Sequence, residues 1–385
     1  MRIRISWKFK ILIMRDKIYI FLFVIFSNFV LAQDFIENRD NYSNIIFSYK
    51  KIENKLDGTA LRDKDVDGVL LIKKNGRFYT RMYEGQINVK WFGAIGDGVT
   101  DDTKAIQKAI NSVSNLYPKI NISGGNWQGG GVIYFPKGKY NITQTLLIRD
   151  CISLIGESRT ATQIHCVNPI IAISNIIGQN GMDTIMSNTF SIKNLLISQG
   201  SLELQGAYNS EIDNCTIMNL FGPASNGIII RLSVALKISN TKIYNAAGSG
   251  ILFEDTAGSG PSTTVLFDNI WVTFCNIGMT INGNTGGSHE IITSNIVNSI
   301  FEYNKTGLLL KGNISNVSFR NIHFEQNSMS SLDISGNFNN VIFDNLWCDN
   351  VGDLKINGAP TSSLRIINSK CPLKTNSSFK GKILN

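Results

Sequence analysis

Short segments that alternate apolar and polar residues and end in asparagine recur along the second half of the chain. EIDN, which ends at Asn214, and SFRN, which ends at Asn321, are examples. Eight such asparagines lie 20 to 29 residues apart: Asn194, Asn214, Asn240, Asn269, Asn298, Asn321, Asn345 and Asn368. Alternation with a period of two indicates a half-buried strand, and its repetition at this spacing is typical of stacked β-coils.

A second apolar segment follows most of these asparagines within the same repeat. These segments are GIII from Gly227, GILF from Gly250, GMTI from Gly278, GLLL from Gly307, SLDI from Ser331 and DLKI from Asp353. Asparagine at the intervening turn tolerates left-handed backbone geometry, and its amide can hydrogen-bond to equivalent turns above and below as a ladder. The predicted class is therefore all-β, a solenoid of coils.

The segment before the coils has a different pattern. Residues 67–85 predict two strands around the turn Asn75-Gly76. Further along, Asp101 or Asp102 can cap a short helix. The apolar stripe of this helix is Ala105, Ile106, Ala109, Ile110 and Val113.

The N-terminus predicts export. Residues 1–17 carry six basic residues and one acidic residue, and an apolar run extends from Ile18 to Ala32. Because small residues precede the end of this run, we expect a signal peptide over residues 1–32 and a secreted protein, extracellular or periplasmic. An uncleaved membrane anchor is the alternative, and Met14 is an alternative start.

Removal of the signal peptide changes the charge of the chain. The full chain has a net charge of +8 and residues 1–32 carry +5, which leaves +3 for the remainder. This value is too small to predict nucleic-acid binding, and it tolerates an acidic glycan without requiring one. No CxxC or histidine pair has the spacing of a zinc site, so most of the six cysteines are expected to be small buried residues.

WFGAIGDGVTDDTKAIQKAI, followed by GGGVIYFPKGKY, is similar to the entry motif of the pectate-lyase-like superfamily. That superfamily includes pectate lyase family 3-type and rhamnogalacturonase- or epimerase-like proteins. The resemblance implies a right-handed parallel β-helix, a helix that closes its end, and carbohydrate substrates. The chain is accordingly divided into a signal peptide (1–32), an N-terminal β-rich segment (33–87), the β-helix (88–375) and a C-terminal tail (376–385).

The resemblance leaves the reaction open, because hydrolases, lyases, epimerases and non-catalytic binders share this entry motif. The paired aspartates and Gly-His-Gly of the glycoside hydrolase family 28 branch are absent here, as is the Asp-Pro-His-Glu of the epimerase branch. Asp97, Asp101 and Asp102 resemble a metal-binding cluster. In the family this stretch caps the closing helix, so a structural role is expected.

Strand alternation predicts which side chains face outward. Positions one and three residues after each ladder asparagine are mostly apolar and should face inward, whereas positions two and four should face outward. Cys348 and Cys371 occupy the third position in adjacent coils, which allows either a disulfide or two reduced thiols.

Three carboxylates occupy the fourth position in consecutive coils, and we call Glu302, Glu325 and Asp349 the acidic column. Neighbours in the column should lie about 5 Å apart, where like charges repel and raise at least one pKa. The separations across one and two coils, about 5 and about 10 Å, bracket those of retaining and inverting glycosidases.

Other residues on the same face extend this candidate site. His323 lies beside the acidic column, and three aromatic residues are predicted sugar-stacking platforms: Tyr244, Trp271 and Trp347. The alternative is a solvated acidic face with the tryptophans packed under long turns.

A competing site lies on the glycine-preceded strands. Arg231 or Lys311 could act as a lyase base or bind a uronate carboxylate, and Glu254 with Asp255 could hold Ca²⁺. Because the acidic column borders the turn before these strands, the acidic column and the charged residues of the glycine-preceded strands could line one groove. Ordinary surface charge is the alternative.

These patterns predict a secreted polysaccharide-degrading enzyme, either a glycoside hydrolase or a polysaccharide lyase, with uronate-containing glycans among its candidate substrates. The predicted catalytic residues are Glu302, Glu325, Asp349 and His323. The predicted substrate contacts are Tyr244, Trp271, Trp347, Arg231 and Lys311. The alternative is a non-catalytic glycan-binding or surface-adhesion protein. Ca²⁺ and a homo-oligomer are compatible with the sequence, and no stable membrane insertion is expected after signal cleavage.

Overall fold

The structure is a computed structural model that describes most of the chain from residue 34 onward. The described ranges are 34–39, 45–123, 126–148, 151–175, 189–255, 261–283, 291–349, 354–356, 363–375 and 382–384. The predicted signal peptide, residues 1–32, lies outside them. The chain divides into two compact units, with the boundary between Glu84 and Gly85.

The first unit contains a four-stranded antiparallel sheet. Its strands, in spatial order, are Phe35–Arg39, Ile46–Ile52, Arg77–Arg81 and Leu71–Lys74. The last two form the predicted hairpin, and both turn residues have positive φ, 50° at Asn75 and 74° at Gly76. Positive φ at both central residues suits the right-handed twist of paired strands. Tyr49, Ile72 and Tyr79 form the core of this unit.

The second unit begins with the segment that closes the coil stack. Strand Ile87–Asn88, a 3₁₀ turn at Val89–Phe92 and strand Asp97–Asp101 lead into the predicted helix, α1, at Thr103–Leu116. The predicted stripe of α1 is buried, except that Ala105 is half-buried. The Gln107 amide donates to the Leu147 carbonyl at 3.1 Å and accepts from the Leu147 N–H at 2.8 Å, so α1 is fixed against the first coil.

A hairpin, Ile120–Ser123 with Asn126–Gln128, links α1 to the coils. No helix in the described part of the chain is long and apolar enough to span a membrane.

The coils contain three strands each, and equivalent strands of successive coils pair in parallel as three rows. The first row, before the ladder asparagines, consists of Gly131–Phe135, Ile152–Gly156, Ser191–Lys193, Glu211–Asp213, Lys237–Ser239, Leu266–Asp268, the first halves of Asn295–Glu302, Ser318–Glu325 and Val341–Cys348, Leu364–Ile367 and Lys382–Leu384. The second row, after the ladder asparagines, consists of Gly138–Ile142, the first parts of Thr162–Ser174 and Leu196–Gln205, Thr216–Leu220, Lys242–Ala246, Trp271–Thr273 and the second halves of Asn295–Glu302, Ser318–Glu325 and Val341–Cys348.

The third row contains the glycine-preceded strands. Its members are Leu146–Leu147, the second parts of Thr162–Ser174 and Leu196–Gln205, Ile228–Arg231, Ser249–Glu254, Ile277–Asn282, Thr306–Ser315, Ser330–Asn339, Leu354–Ile356 and Leu373–Thr375. Two short strands, Ser262–Thr263 and Ile291–Ile292, pair between the rows. The predicted parallel β-helix is therefore confirmed.

Inward-facing positions of the second row form a continuous core, as the alternation predicts. The fully buried members are Ile197, Ile217, Ile243, Val272, Phe301 and Phe324. Phe301 and Phe324 stack with ring centroids 5.9 Å apart, close to the spacing of adjacent strands. Cys348 and Cys371 continue the column and form a disulfide, which decides between the two alternatives.

Three further cysteines are buried, as expected: Cys166, Cys215 and Cys275. Burial raises the pKa of Cys215 to about 12, so this thiol stays protonated and acts as a small apolar residue.

The ladder asparagines all have left-handed backbone, with φ between 50° and 57°. Their amides form the predicted ladder in part: Asn214 donates to Asn194 at 2.8 Å, and Asn321 donates to Asn298 at 2.9 Å. Elsewhere an aspartate one position before the ladder supplies the acceptor, as when Asn298 donates to Asp268 at 3.0 Å. Asparagine is therefore required at these turns for its backbone and for its amide donor.

The aspartates near α1 have the structural role that was predicted. Asp102 is 1% exposed, and its carboxylate accepts the N–H groups of Ile95 at 2.7 Å and Gly96 at 3.0 Å. Asp101 accepts the Thr103 N–H at 3.0 Å, at the start of α1. Asp97 closes a turn by accepting the N–H groups of Val99 and Thr100, each at 2.8 Å. Burial raises the pKa of Asp102, and the two hydrogen bonds oppose this effect.

We expect Asn321→Ala to lower the free energy of unfolding by about 2 kcal/mol, because alanine is strained at positive φ and cannot join the ladder. Asn321→Gly should recover the backbone part and lose less. Urea denaturation of both variants checks this. Equal stability of Asn321→Ala and the parent protein would contradict the role assigned to the ladder.

Candidate functional site

Outward positions of the second row form one face on which most of the predicted site residues lie. Trp271 and Trp347 are 40% and 41% exposed, and Tyr244, His323, Glu302 and Glu325 are half-buried. The predicted outward orientation of these side chains is therefore confirmed. Thr273, in the same column as Glu302, is instead buried.

Glu302 and Glu325 are the centre of this face. They are direct partners in parallel pairing, so their Cα atoms belong to adjacent strands about 4.8 Å apart. Glu302 Oε1 accepts a hydrogen bond from Trp271 Nε1 at 2.9 Å. An indole N–H only donates, so it orients the carboxylate without offering it a proton acceptor.

Glu325 interacts with a titratable partner instead. Its Oε2 atom lies 3.2 Å from His323 Nε2, and the His323 ring lies against Trp347 with centroids 4.2 Å apart. Packing against Trp347 orients the imidazole toward Glu325. The pair can therefore hold or exchange a proton at Glu325, which suits acid/base chemistry.

Asp349 follows the end of its strand and closes a turn. Its Oδ2 atom accepts the Gln326 N–H at 2.8 Å, and its own N–H donates to Phe324 at 3.2 Å. Asp349 therefore stays a predicted member of the acidic column, but its carboxylate faces the backbone of the preceding coil.

Two aromatic residues beside the acidic column were not predicted from the sequence. Phe274 and Tyr303 directly follow Thr273 and Glu302, they are 50% and 47% exposed, and their rings stack at 5.2 Å. Both have left-handed backbone, with φ of 57° and 52°. Bulky residues are outliers in this region, and such strain is concentrated at functional sites.

A sequence signal for these positions exists in the repeat. The equivalent turn residues in the two preceding coils are Asn219 and Asn245, which also have positive φ and are hydrogen-bonded at 3.2 Å. In the next two coils Phe274 and Tyr303 replace asparagine at this left-handed position, and this departure from the repeat is the sequence signal that identifies them. Tyr244 extends the aromatic strip, since its ring meets Phe274 edge-on at 5.4 Å.

Arg231 and Lys311 lie away from the acidic column. They occur at equivalent positions of their third-row strands, four residues after Gly227 and Gly307, or roughly 13 Å along an extended chain. They therefore lie four residues along the third row from the turn that the acidic column borders, and a groove shared with the acidic column stays a prediction.

The guanidinium of Arg231 also has local partners. It lies 2.9 Å from Glu203 Oε1 and 2.8 Å from Glu254 Oε1, within an ion-pair network, whereas Lys311 is exposed. A guanidinium between two carboxylates is held in place electrostatically. Contact of Arg231 or Lys311 with a substrate stays a prediction.

Glu254 and Asp255 bind separate partners. Glu254 pairs with Arg231, and the buried Asp255 accepts hydrogen bonds from Ser262 N at 2.9 Å and Ser262 Oγ at 2.7 Å. The two carboxylates therefore do not converge on a Ca²⁺ position. Within the described ranges there is no group of three or more His, Cys, Asp and Glu residues suited to a metal ion.

Comparison with known proteins places this arrangement in a family. The model described as rhamnogalacturonase A/epimerase, pectate lyase-like, matches residues 86–333. Among solved structures, the Geobacillus virus E2 ORF18 protein superposes with a TM-score of 0.54 at 18% identity, over 82% of this chain and 65% of that chain. At this identity the likeness shows the fold alone.

Three curated relatives differ in their named activities. Glucan 1,3-beta-glucosidase of Cochliobolus carbonum is 30% identical over 179 residues, 44% of this chain and 21% of that protein. Plasmin and fibronectin-binding protein A of Streptococcus pneumoniae is 26% identical over 175 residues, 44% of this chain and 21% of that protein. Alginate lyase 7 of Azotobacter vinelandii is 34% identical over 90 residues, 22% of this chain and 9% of that protein. The chain thus spans about a fifth or less of each relative.

We expect the double variant Phe274→Asn/Tyr303→Asn to be more stable than the parent by about 1 kcal/mol. Two bulky residues leave strained backbone, at about 1–2 kcal/mol each, and two ring contacts worth about 0.5–1.5 kcal/mol each are lost, the stacked pair and the Tyr244–Phe274 edge contact. Urea denaturation measures the difference. Tyr244→Asn is the control, because its backbone is extended and its removal should not stabilise. A less stable double variant would show that the aromatic pair serves folding.

Proposed function

The chain belongs to the rhamnogalacturonase A/epimerase, pectate lyase-like family, and on this premise we propose that it is a secreted enzyme that degrades an extracellular polysaccharide. Export is supported by the basic and apolar pattern of residues 1–32. The glucosidase and lyase names of the relatives support a glycan as substrate.

The pairing of Glu302 with Glu325 carries the proposal. Their paired positions put the two Cα atoms on adjacent strands about 4.8 Å apart, which allows the separation of about 5 Å between carboxyl groups that retaining glycosidases use. Aromatic side chains flank the pair on both sides, with Trp271 and Trp347 on one side and the stacked Phe274–Tyr303 pair on the other. Aromatic faces beside an acid pair suit a sugar chain held across it.

The chemistry that we propose is hydrolysis with retention. Glu302, oriented by the indole of Trp271, attacks the anomeric carbon and forms a covalent glycosyl-enzyme bond. Glu325 donates a proton to the departing glycosidic oxygen at the same time. Glu325 then takes a proton from water, the water oxygen bonds to the anomeric carbon, and Glu302 is released. His323 Nε2 lies 3.2 Å from Glu325 Oε2 and positions this carboxyl group.

The surroundings of the acid pair favour this proposal over a purely adhesive role. A column neutralised by lysine or arginine would be inert, but within the described residues the partners of Glu302 and Glu325 are Trp271 and His323. The second candidate is glycan binding or surface adhesion without catalysis. Its adhesive form is favoured by one finding, the similarity to a Streptococcus pneumoniae protein that is named for binding plasmin and fibronectin.

A lyase mechanism has weaker support. It would draw on Arg231 or Lys311 as base. The guanidinium of Arg231 is held between Glu203 and Glu254, and arginine keeps its proton in proteins. Lys311 lies on a third-row strand, four residues after Gly307, whereas the acid pair lies on the second row.

We expect the protein without its signal peptide to release reducing ends from at least one member of a polysaccharide panel, without absorbance from unsaturated uronates. Glu325→Gln and Glu302→Gln should each lower the rate at least about 100-fold, because the acid/base and nucleophile roles need a carboxyl group. Glu211→Gln is the matched control, since Glu211 pairs with Lys193 in the first row, on another face.

Reducing ends and the absorbance of unsaturated uronates, measured together, distinguish the candidate functions. Reducing ends that persist in both variants would overturn the acid pair as the catalytic site. Unsaturated products would instead mean a lyase. Binding to a glycan with no product of either kind would favour the adhesive candidate.

We also expect the first-formed sugar to keep the anomeric configuration of the cleaved bond, because the proposed pair spans adjacent strands. Proton NMR during the first turnovers distinguishes the two anomers. An inverted product would exclude Glu302 as nucleophile and require two carboxylates that lie farther apart, such as Glu302 and Asp349, which are separated by two coils.

A further inference from the structure

A cavity of about 520 Å³ lies beside the ladder turns of the coils that precede the acid pair. It is lined by Arg159, Asn214, Thr216, Asn240, Thr241, Lys242, Asn269 and Trp271. This volume is in the range of small-molecule sites, about 300–1,000 Å³. Nothing in the proposed hydrolysis uses this cavity apart from Trp271, which forms one wall.

Two cations face this cavity. Arg159 Nη1 donates to the Asn240 carbonyl at 3.2 Å, which holds the guanidinium at the rim. Lys242 Nζ lies 3.6 Å from the centre of the Trp271 ring. In the part of the chain that the structure describes, neither side chain forms an ion pair. Both therefore retain donors that can bind an anion.

The remaining polar walls are mostly committed to the fold. Asn240 donates to Asp213 at 2.8 Å, Asn269 donates to Asn240 at 2.8 Å, and Thr241 donates to the Ser239 carbonyl at 2.8 Å. The ligand-binding capacity of the cavity is thus concentrated in Arg159 and Lys242. Two cations with an aromatic wall match a sugar that carries an anionic substituent, because guanidinium and ammonium groups bind carboxylates and sulfates and an indole accepts a sugar face.

We propose that this cavity is a binding subsite for a carboxylate- or sulfate-bearing sugar unit of the glycan. The proposal rests on the proposed function, since it assigns a charge to that substrate. Lys242, Trp271 and Ile300 are paired in consecutive coils of the second row, and Ile300 lies in the same strand as Glu302. The cavity is therefore about two strand spacings, roughly 10 Å, from the acid pair. The bound anionic unit is a different sugar from the one that is cleaved.

Trp271 links the two places physically. One face of its ring meets Lys242, and its Nε1 atom donates to Glu302 at 2.9 Å. A glycan that fills the cavity therefore contacts a side chain that orients the proposed nucleophile.

The test measures binding rather than turnover. Glu325→Gln protein, which leaves bound glycans intact, is applied to an array of uronate-containing glycans, the same glycans with methyl-esterified carboxyl groups, sulfated glycans and neutral glycans. We expect binding to at least one anionic class, and we expect Lys242→Met and Arg159→Met to weaken it about tenfold or more each. Lys242→Arg should retain most of the binding, because the charge remains.

Lys108→Met, on the exposed side of α1, is the control and should change nothing. If Lys242→Met and Arg159→Met weaken binding to uronate-containing glycans but not to their methyl esters, the bound group is a carboxylate. If they weaken binding to sulfated glycans, the bound group is a sulfate. Failure to bind any anionic glycan, or equal binding by Lys242→Met and its parent, would overturn the subsite.

The two proposals fail separately. Charge-dependent binding with no hydrolysis on any panel member would leave the subsite standing and remove the enzyme proposal. Hydrolysis that depends on Glu325 but not on Lys242 or Arg159 would leave the enzyme proposal standing and remove the subsite.

Discussion

Parallel, in-register pairing of successive coils is the constraint on which the rest of the second unit depends. Because each coil pairs residue for residue with the next, side chains at equivalent positions stack about 4.8 Å apart. The register that places Phe301 against Phe324 in the core also places Glu302 beside Glu325 on the surface. Core and candidate site are therefore opposite faces of the same strands, and a shift of one residue would exchange them.

The turns impose a second constraint, left-handed backbone at recurring positions. Asparagine meets it at every ladder turn, and Asn219 and Asn245 meet it after the second row. In the next two coils Phe274 and Tyr303 occupy that position. Asparagine suits this backbone better than an aromatic residue does, whereas the two rings stack on each other. Departures of this kind are concentrated at functional sites, and this one occurs beside Glu302.

The repeat allowed the sequence to predict much of the fold and part of the site. Strand direction followed from alternation, so Glu302, Glu325 and the inward column with Cys348 and Cys371 were placed correctly. What it did not predict depends on side-chain partners or on loops. Alternation does not encode side-chain rotamers. Rotamers decide both the pairing of Arg231 with two carboxylates and the hydrogen bond that the Asp349 carboxylate accepts from the Gln326 N–H. Arg159 reaches Asn240 across 81 residues from an irregular segment that has no repeat to place it.

Opposite charges on one surface usually neutralise each other, and Trp271 explains how this face avoids it. The indole attracts a cation to its ring and an anion to its N–H, so one side chain holds both Lys242 and Glu302 without letting them pair. An acid pair alone would repel an anionic glycan. Cations two coils away would offset that repulsion, and in the part of the chain that the structure describes they form no ion pair with Glu302 or Glu325. Under the two proposals, attraction and catalysis reside in different coils of one face, at a spacing set by the same pairing that builds the core.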